Sequence, residues 1–481
     1  MCLKGYYQQQ PKLRSFRRLM YLSPVITILS LTLLLWNYRP ARTIKFWSQY
    51  YQPTSLAQIP VQRTLPTGSG PGRQDPHGQK VPLVAVNGTH TLLVSAYLEH
   101  RTNRREVHVI AVVLRSETVA YRCLLCCQGQ CHISAGDAST HMDHFGFAYG
   151  TATILCPLPS GCETPSHIAV TSVAAADSED KGEVFLEVLN QEARSDSFPH
   201  TFTVCLSTMF NFTNVLQLVQ SMEVLKLLGV SRVVVYKTSC SPDTQRLLDY
   251  YIHTGFMEVI PWSKLSKLLN VSPGWQREID PGDLHYYGQI PALNDCVYRY
   301  MYQSKYLALH DMDELILPQS VDSWREMLPL LEQKHGADFG YMFENAVFPN
   351  TIKLPPPTSH TPQHPQSSCC TGWQGVSGVN ILAHLYHEPL NQKEFSNFKI
   401  IINPRAVFAP TVHGLLNSQK GCVRVDSNVA LMYHTRPPVQ TKLTTDQLVY
   451  DDRLLGYSVR LILAVNKVLR ETGLMPEDNT E

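Results

Sequence analysis

The sequence lacks several features that would indicate a function directly. Its formal net charge over 481 residues is +1, and no basic stripe or arginine-rich run follows the apolar segment near its start. This pattern argues against nucleic acid as a partner. Neither G-x-x-x-x-G-K nor G-x-G-x-x-G occurs, so a P-loop and a standard dinucleotide-binding turn are absent. No internal repeat is evident, which argues against a solenoid.

Long apolar runs are also scarce, with one exception near the N-terminus. Residues 19–36 carry no charge, and their number is near the lower limit for a membrane-spanning helix. More Lys and Arg precede this run than follow it. We therefore expect a type II orientation, with a cytoplasmic tail at 1–18, a signal-anchor helix at 19–38 and the remaining chain in the lumen. A cleaved signal peptide is the alternative.

Composition changes twice after the anchor. Residues 39–80 are polar and rich in Pro, Gly, Gln, Ser and Thr, which predicts a stem linker that buries no core. Residues 81–195 contain short alternating runs separated by turn residues, which predicts a small, disulfide-linked β-rich module. Glycosylation acceptor patterns begin at Asn87 and, further on, at Asn211.

Cysteine is abundant for a cytosolic protein, with 13 residues in the chain. The run Cys123-Leu-Leu-Cys126-Cys127-Gln-Gly-Gln-Cys131 has a spacing at which two thiolates could share zinc. In an oxidising lumen disulfides are favoured instead. Cys156 and Cys162 are candidates to complete local bridges, while Cys369 and Cys370 are expected to pair elsewhere.

Strands and helices alternate from about residue 198 to 470. Apolar strand-like runs are separated by segments with helical spacing, such as Asn214 to Leu228. This order predicts an α/β domain with a mostly parallel sheet, on which ligands bind at the carboxyl ends of the strands. Leu354 to Pro365, which is rich in proline, predicts a loop, and the chain is expected to end in an amphipathic helix at 450–469.

An acidic motif follows one of these strands. Asp311 and Asp313 lie between the apolar runs 306–309 and 315–318, with Glu314 directly after them. A turn at this point would direct both carboxylates to one divalent cation, which prefers oxygen ligands and keeps positions open for phosphate. Two other interpretations stay open: a turn with solvated acids, and the His310-Asp311 dyad of a metal phosphohydrolase.

Several separate motifs together resemble glycosyltransferase family 92. They occur in the order of that family between about residues 198 and 469, with Met312 and Leu315 in place of the usual Ile and Phe of the acidic motif. The motifs are Cys205, Val233-Val-Val-Tyr236, Asn294-Asp-Cys296-x-x-Arg299, Tyr306 to Pro318, Phe395 to Val407, Val412-His-Gly414 and Tyr433-His-Thr-Arg436.

The resemblance implies a GT-A type nucleotide-sugar-binding domain at residues 198–470. It also implies a type II Golgi membrane enzyme that uses a UDP-sugar donor and a divalent cation, usually Mn²⁺. Characterised members transfer galactose in β linkage from UDP-galactose onto fucose of N-glycan cores. A hexosyltransferase acting on a glycan acceptor is therefore expected, by a metal-dependent inverting mechanism of the β-1,4-galactosyltransferase-like kind.

Roles for individual residues follow from the resemblance together with the motif. The expected metal ligands are Asp311, Asp313 and His413. The expected nucleotide-binding residues are Asp295, Arg299, Asp311 and Lys399.

Inversion requires a general base for the acceptor hydroxyl. Glu344 and Glu388 are the candidate bases, and the apolar run around Glu344 would raise its pKa if the side chain is buried. A metal-dependent phosphohydrolase and a catalytically inactive glycan-binding homologue are the alternatives to a transferase.

Overall fold

A computed structural model describes residues 83–175, 183–194, 196–355, 373–390 and 397–475. The expected tail, anchor and stem lie outside these ranges, as do Cys369, Cys370 and most of the loop expected at 354–365. Within the described ranges, no helix combines the length and the apolar character that crossing a membrane requires.

The N-terminal module is a closed barrel. Seven strands form a ring because β8 pairs with β2 as well as with β7, and the short β1 extends one edge of β2. The β-rich character expected from the alternating runs is confirmed, whereas the closure of the ring was not expected. The strands are β1 (Val84–Ala85), β2 (Leu92–Leu98), β3 (Glu106–Leu114), β4 (Tyr121–Cys127), β5 (Gln130–Thr140), β6 (Tyr149–Pro157), β7 (His167–Ser172) and β8 (Leu186–Leu189).

Disulfides hold this barrel, which confirms the preference for oxidation over zinc. The bridges are Cys123–Cys156, Cys126–Cys131 and Cys127–Cys162. Cys156 and Cys162 therefore complete local bridges as expected. A fourth bridge, Cys205–Cys296, lies in the following domain and closes a loop with a sequence separation of 91 residues.

The second part of the chain is built on a seven-stranded mixed sheet. Four neighbouring strands are parallel, in the order β11-β10-β9-β12, and the sheet continues through β17, β14 and β20 with antiparallel pairings of β17 to both β12 and β14. These strands are β9 (His200–Met209), β10 (Arg232–Lys237), β11 (Met257–Pro261), β12 (Ser304–His310), β14 (Gly340–Phe343), β17 (Lys399–Ile402) and β20 (Cys422–Arg424).

Smaller sheets lie beside the main one. Three strands form the order β13-β21-β15, and two further antiparallel pairs are β16 with β22 and β18 with β19. Their bounds are β13 (Glu314–Pro318), β15 (Asn345–Pro349), β16 (Tyr386–His387), β18 (Val407–Thr411), β19 (Gly414–Ser418), β21 (Ala430–Arg436) and β22 (Val449–Tyr450). β13 follows β12 after three residues, so the acidic motif is the connection between the main sheet and the three-stranded sheet.

The two faces of the main sheet bury different partners. Alternate residues of a strand face opposite sides, and in β9 Val204 and Leu206 pack with one core while Cys205 packs with the other. Helices α1, α2, α5 and α6 contribute to the first core, whereas the second contains α3, α4 and residues of the barrel. The helices are α1 (Val215–Leu227), α2 (Pro242–His253), α3 (Leu265–Leu268), α4 (Gln289–Tyr300), α5 (Trp324–His335) and α6 (Ser458–Glu471).

A buried carboxylate joins the barrel to helix α4. Asp295 is 0% exposed, and its oxygens accept hydrogen bonds from Ser95 and Tyr97 of β2 and from Tyr236 of β10. Arg299, one turn later on the same helix, donates to it at 3.1 Å. Burial alone raises the pKa of Asp295, but the Arg299 guanidinium and these hydroxyl groups hold that pKa below its ordinary value.

This placement is a correction to the sequence analysis. Asp295 and Arg299 were expected to contact the nucleotide, but the structure buries both between the barrel and the main sheet, with each other as partners. The helix presents them to the barrel and not to the edge of the sheet where the parallel strands end.

Replacing Asp295 with Ala is expected to destabilise the protein by about 3–5 kcal/mol, because it leaves the Arg299 guanidinium buried without its counter-ion. The free energy of unfolding, measured by urea titration, tests this. Asp249→Ala, which removes an exposed carboxylate from α2, is the control and should change stability by less than about 0.5 kcal/mol. Equal stability of Asp295→Ala and wild type would contradict the structural role.

Candidate functional site

The ends of two parallel strands bring the acidic motif to a cleft. β9 and β12 run side by side, with Leu206 opposite His310. The next residue of β9, Ser207, is the extra residue of a β-bulge, because Val235 of β10 pairs with Leu206 and Tyr236 pairs with Thr208. A bulge redirects a side chain, and the Ser207 hydroxyl donates to Asp311 Oδ1 at 2.6 Å.

The acidic motif itself is a tight turn. The backbone N–H of Asp311 donates to Glu314 Oε2 at 2.6 Å, and the N–H of Glu314 donates back to the Asp311 carbonyl at 3.3 Å. On the far side of the turn, the N–H of Thr435 donates to the carbonyl of Asp313 at 3.1 Å. β13 then pairs with β21, so that Glu314 lies opposite His434. The turn is therefore held at both ends.

Asp311 is fully engaged within the protein. Besides Ser207, Gln289 donates to Oδ1 at 3.0 Å, and Lys399 donates to Oδ2 at 2.8 Å. Burial raises the pKa of this carboxyl, but the charge of Lys399 and the hydrogen bonds from Lys399 and Ser207 outweigh burial and hold the pKa well below its ordinary value. Asp311 is therefore a carboxylate whose direction is fixed by three donors.

Lys399 links Asp311 to Glu314. It is 2% exposed, and its ammonium nitrogen lies 2.8 Å from Asp311 Oδ2 and 3.4 Å from Glu314 Oε2. Burial lowers the pKa of Lys399, but the two carboxylates raise it above its ordinary value. Burial also raises the pKa of Glu314 to about 7, an effect that Lys399 partly offsets. Lys399 was expected to bind the nucleotide, whereas its ammonium is directed to these carboxylates.

Asp313 has fewer side-chain partners than Asp311 among the described residues. Its side chain is 40% exposed and lines the cleft, and His434 Nε2 lies 3.2 Å from its Oδ2. The other nitrogen of His434 lies 3.4 Å from Glu314 Oε1. Burial lowers the pKa of His434, but these two carboxylates raise it above its ordinary value. Asp311 also lines the cleft and is 30% exposed, so Asp313 is the more exposed and less engaged of the two aspartates there.

The cleft is lined by both aromatic and polar residues. Phe210 and Tyr287 stack with ring centroids 3.9 Å apart and an interplanar angle of 17°. The cleft is lined by Ser207, Thr208, Phe210, Phe212, Asn214, Gln217, Tyr286, Tyr287, Asp311, Met312, Asp313, Asn350, Thr435, Arg436 and Pro437. Burial and the two aspartates raise the pKa of Tyr286 to about 12, so it is a neutral hydroxyl at physiological pH.

His413, the third expected metal ligand, lies close to the cluster but does not line the cleft. Its Nδ1 is 3.1 Å from the carbonyl oxygen of Phe398. A carbonyl only accepts, so Nδ1 carries the proton and Nε2 is left as a lone-pair donor. Burial lowers the pKa of His413 to about 3, which keeps the ring neutral. This tautomer is compatible with the expected role, which stays a prediction.

The residues of the cleft suit a divalent cation that would be coordinated partly by the protein and partly by a bound ligand. No group of three or more His, Cys, Asp or Glu side chains in the described part of the chain is arranged to hold a metal ion. A hard cation that is bound through one or two carboxylates completes its shell with water and substrate phosphates. Asp313 fits that pattern as a direct ligand, and Asp311 fits it as a carboxylate that acts through water.

Glu344 and Glu388 do not line the cleft. Glu344 accepts from Arg424 at 2.7 Å. Glu388 is 3% exposed and accepts from the backbone N–H groups of Val439 and Gln440 at 2.7 and 2.9 Å. Both acids were expected to be candidate bases, and the structure instead gives them ion-pairing and turn-stabilising contacts.

The expected glycosylation residues are accessible. Asn87 lies in the turn before β2 and Asn211 lies beside the cleft residues Phe210 and Phe212, and both are exposed. Modification of either residue stays a prediction.

Comparison with known proteins identifies the family. The glycosyltransferase family 92 model matches residues 200–461, which is more than half of the chain. The chain therefore belongs to glycosyltransferase family 92. A family 92 protein of Caenorhabditis elegans is 28% identical over 152 residues, which are 31% of this chain and 29% of that protein. The chain thus matches less than a third of this relative's length.

Two solved structures show weak similarity. The S. aureus protein TarS, residues 1–349 in complex with UDP, is 11% identical, and the match covers 56% of this chain and 70% of that one with a TM-score of 0.26. A UDP-glucose pyrophosphorylase complexed with UDP-glucose is 9% identical, with 56% and 99% coverage and a TM-score of 0.20. TM-scores of this size do not define a common fold.

Lys399→Met is expected to destabilise the protein by about 3–5 kcal/mol at pH 8, because the buried Glu314 and the partly buried Asp311 would lose their cation. The folded-state pKa of Glu314, about 7, is above its ordinary value of 4.5. This carboxyl therefore favours the folded state below pH 4.5 and loses that contribution as the pH rises through about 7. At pH 6 it is mostly neutral, so the effect of Lys399→Met should be smaller than at pH 8.

Urea titrations at both pH values measure this difference. Lys420→Met, at an exposed position, is the control and should be nearly neutral at both. An effect of Lys399→Met that is the same at pH 6 and pH 8 would contradict the coupling between Lys399 and Glu314.

Proposed function

We propose that this protein is a glycosyltransferase that moves a hexose from a nucleotide-sugar donor to a hydroxyl of a glycan acceptor. The donor we propose is UDP-galactose, with transfer in β linkage. One observation carries the proposal: Asp313, in a chain of family 92, presents a partly exposed carboxylate to a cleft at the carboxyl ends of β9 and β12. That edge of a parallel sheet is where nucleotides bind.

The two aspartates have different roles in this proposal. Asp313 would bind a divalent cation such as Mn²⁺ directly, and Asp311, fixed by Ser207, Gln289 and Lys399, would orient its water shell. The cation, when bound, supplies positive charge that stabilises the departing diphosphate. His413 is retained as a further candidate ligand, because its Nε2 is free of the proton that Nδ1 carries.

Charge in the cluster supports cation binding. Asp311 and Glu314 pair with the buried ammonium of Lys399, and Asp313 pairs with His434, while burial keeps His310 and His413 neutral with pKa values lowered to about 4 and about 3. Among the described residues Asp313 has no Lys or Arg partner, so an additional positive charge is favourable beside it.

The aromatic side of the cleft supports a nucleoside ligand. Phe210, Tyr286 and Tyr287 line the same cleft as Asp311 and Asp313. Aromatic side chains provide flat apolar surface with a polar edge, which suits a nucleobase or the face of a sugar. A domain of GT-A type is the fold we propose on the basis of the family, and the parallel β11-β10-β9-β12 core supports it.

The compartment is part of the same proposal. Four disulfides in the described residues support an oxidising environment. We propose a single-pass type II protein of the Golgi membrane with its catalytic domain in the lumen, anchored by residues 19–38, with glycans at Asn87 and Asn211.

Two alternatives have less support. A metal phosphohydrolase built on His310 and Asp311 would need further ligands around them, and His310 instead has its Nδ1 2.9 Å from the Asp311 carbonyl and is 2% exposed. An inactive glycan-binding homologue would have no need of an exposed acid at the cleft, whereas Asp313 is exposed there.

Asp313→Asn is expected to lower the rate of UDP release from a UDP-sugar plus acceptor glycan by about 100-fold or more, because charge stabilisation at the leaving group is lost. Asp249→Asn, with the same change at an exposed position, is the control and should keep wild-type activity. Thermal unfolding confirms that both variants fold. Full activity of Asp313→Asn, or of wild type in EDTA, would overturn the metal role.

Donor identity is tested by a screen of UDP-sugars for acceptor-dependent release of UDP. UDP-galactose is expected to give the highest rate. A higher rate with another UDP-sugar would change the donor in the proposal, and release of phosphate from phosphomonoesters without transfer would favour the phosphohydrolase.

A further inference from the structure

Backbone contacts fix the position of Arg436, which lines the same cleft. It is the last residue of β21, where it lies opposite Pro349 of β15, and its carbonyl accepts from the N–H of Asn350 at 2.9 Å. The preceding residue, Thr435, donates its N–H to the carbonyl of Asp313. The following segment is fixed through Glu388, which accepts from Val439 and Gln440. Arg436 thus has a fixed position next to the acidic turn.

The side chain of Arg436 has donors without acceptors. Its Nε is buried and has no hydrogen-bond partner, and no ion pair joins its guanidinium to any carboxylate in the described ranges. Nearby cations behave differently: Lys399 pairs with two carboxylates and Arg424 with Glu344. Of the residues that line the cleft, Arg436 alone carries a permanent positive charge. A buried guanidinium donor with no partner is costly, and it suits a site for an anionic acceptor.

Thr208 provides a second, independent donor in the same cleft. It is 5% exposed, and its Oγ1 is buried with no hydrogen-bond partner. It follows the bulged residue Ser207 on β9 and lines the cleft together with Asp313 and Arg436. Two strands from different sheets therefore bring two unsatisfied polar groups to one cavity.

We propose that Arg436 and Thr208 form the subsite that binds the phosphate oxygens of the donor. The ligand class is a nucleoside diphosphate, free or as a sugar ester, and this inference rests on the proposed function. A diphosphate between these groups has acceptor oxygens for the Arg436 Nε–H and for the Thr208 hydroxyl. The opposite side of the diphosphate would face Asp313 with the cation between them, because a carboxylate and a phosphate in direct contact repel each other. Arg436 then shares with the cation the charge of the leaving diphosphate.

The subsite is tested by calorimetric titration of the full chain with UDP, uridine and inorganic pyrophosphate in the presence of Mn²⁺. Arg436→Gln is expected to weaken UDP and pyrophosphate binding by about tenfold or more, since a charge-assisted hydrogen bond is lost. Thr208→Val, of similar shape, should weaken both by several-fold. Binding of uridine, which has no phosphate, should be unchanged in both variants.

Arg470→Gln, an exposed position on α6, is the matched control and should bind all three ligands as wild type does. The thermal unfolding midpoint of each variant identifies any loss of folding, and Arg436→Lys, which keeps the charge, should retain part of the affinity. Wild-type affinity of Arg436→Gln for UDP and pyrophosphate would overturn the subsite.

Failure of the proposed function gives a different result. In one outcome, wild type binds pyrophosphate through Arg436 but shows no preference for UDP over pyrophosphate and releases no UDP with any UDP-sugar. This result would support the phosphate subsite and contradict the transferase activity. Wild type that binds neither UDP nor pyrophosphate would overturn both.

Discussion

The Lys399 ammonium between Asp311 and Glu314 is the interaction on which the site depends. It joins β17 of the main sheet to the turn that leads from β12 into β13. The side chains of Lys399 and Glu314 are 2% exposed, and that of Asp311 is 30% exposed. Without the Lys399 ammonium between them, the carboxylates of Asp311 and Glu314 would repel each other in a low-dielectric region. The ion pair therefore allows an acidic turn at the edge of a core. This turn places Asp313 in the cleft.

The two aspartates of the turn, which Met312 separates, consequently have different chemistry. Asp311 accepts from three side chains and is fixed, whereas Asp313 has one histidine partner and faces the cleft. The difference comes from position in the turn, since Asp311 directly follows β12 and Asp313 directly precedes β13. A cleft that is lined by this acid and by Arg436 can bind a ligand of mixed charge.

The barrel is part of the structural support of this site. Its strand β2 supplies Ser95 and Tyr97 to Asp295, and the same core that contains barrel residues contains the face of β9, β10 and β12 opposite to α1. Because the sheet is covered by the barrel and α4 on one face and by the remaining major helices on the other, its strands are apolar on both faces. The carboxyl ends of the strands are left for polar residues.

The sequence by itself determined the alternating α/β character, the β-rich module and its use of disulfides, because periodicity and cysteine content are local signals. It also determined the Asp311-Met-Asp313 turn after a strand and the motifs by which the family was recognised. Tertiary structure alone decided the closure of the barrel, the Cys205–Cys296 bridge and the partners of Lys399, because each joins residues far apart in the chain. The positions of Asp295 and Arg299 could not be predicted for the same reason. Both are charged residues of a helix, and no local pattern indicates that they are buried. They were expected to contact the nucleotide, whereas they lie against the barrel. Thr208 and Arg436 line one cleft because the bulge in β9 and the end of β21 meet there. Strand pairing brings them together, and no local sequence pattern encodes that pairing.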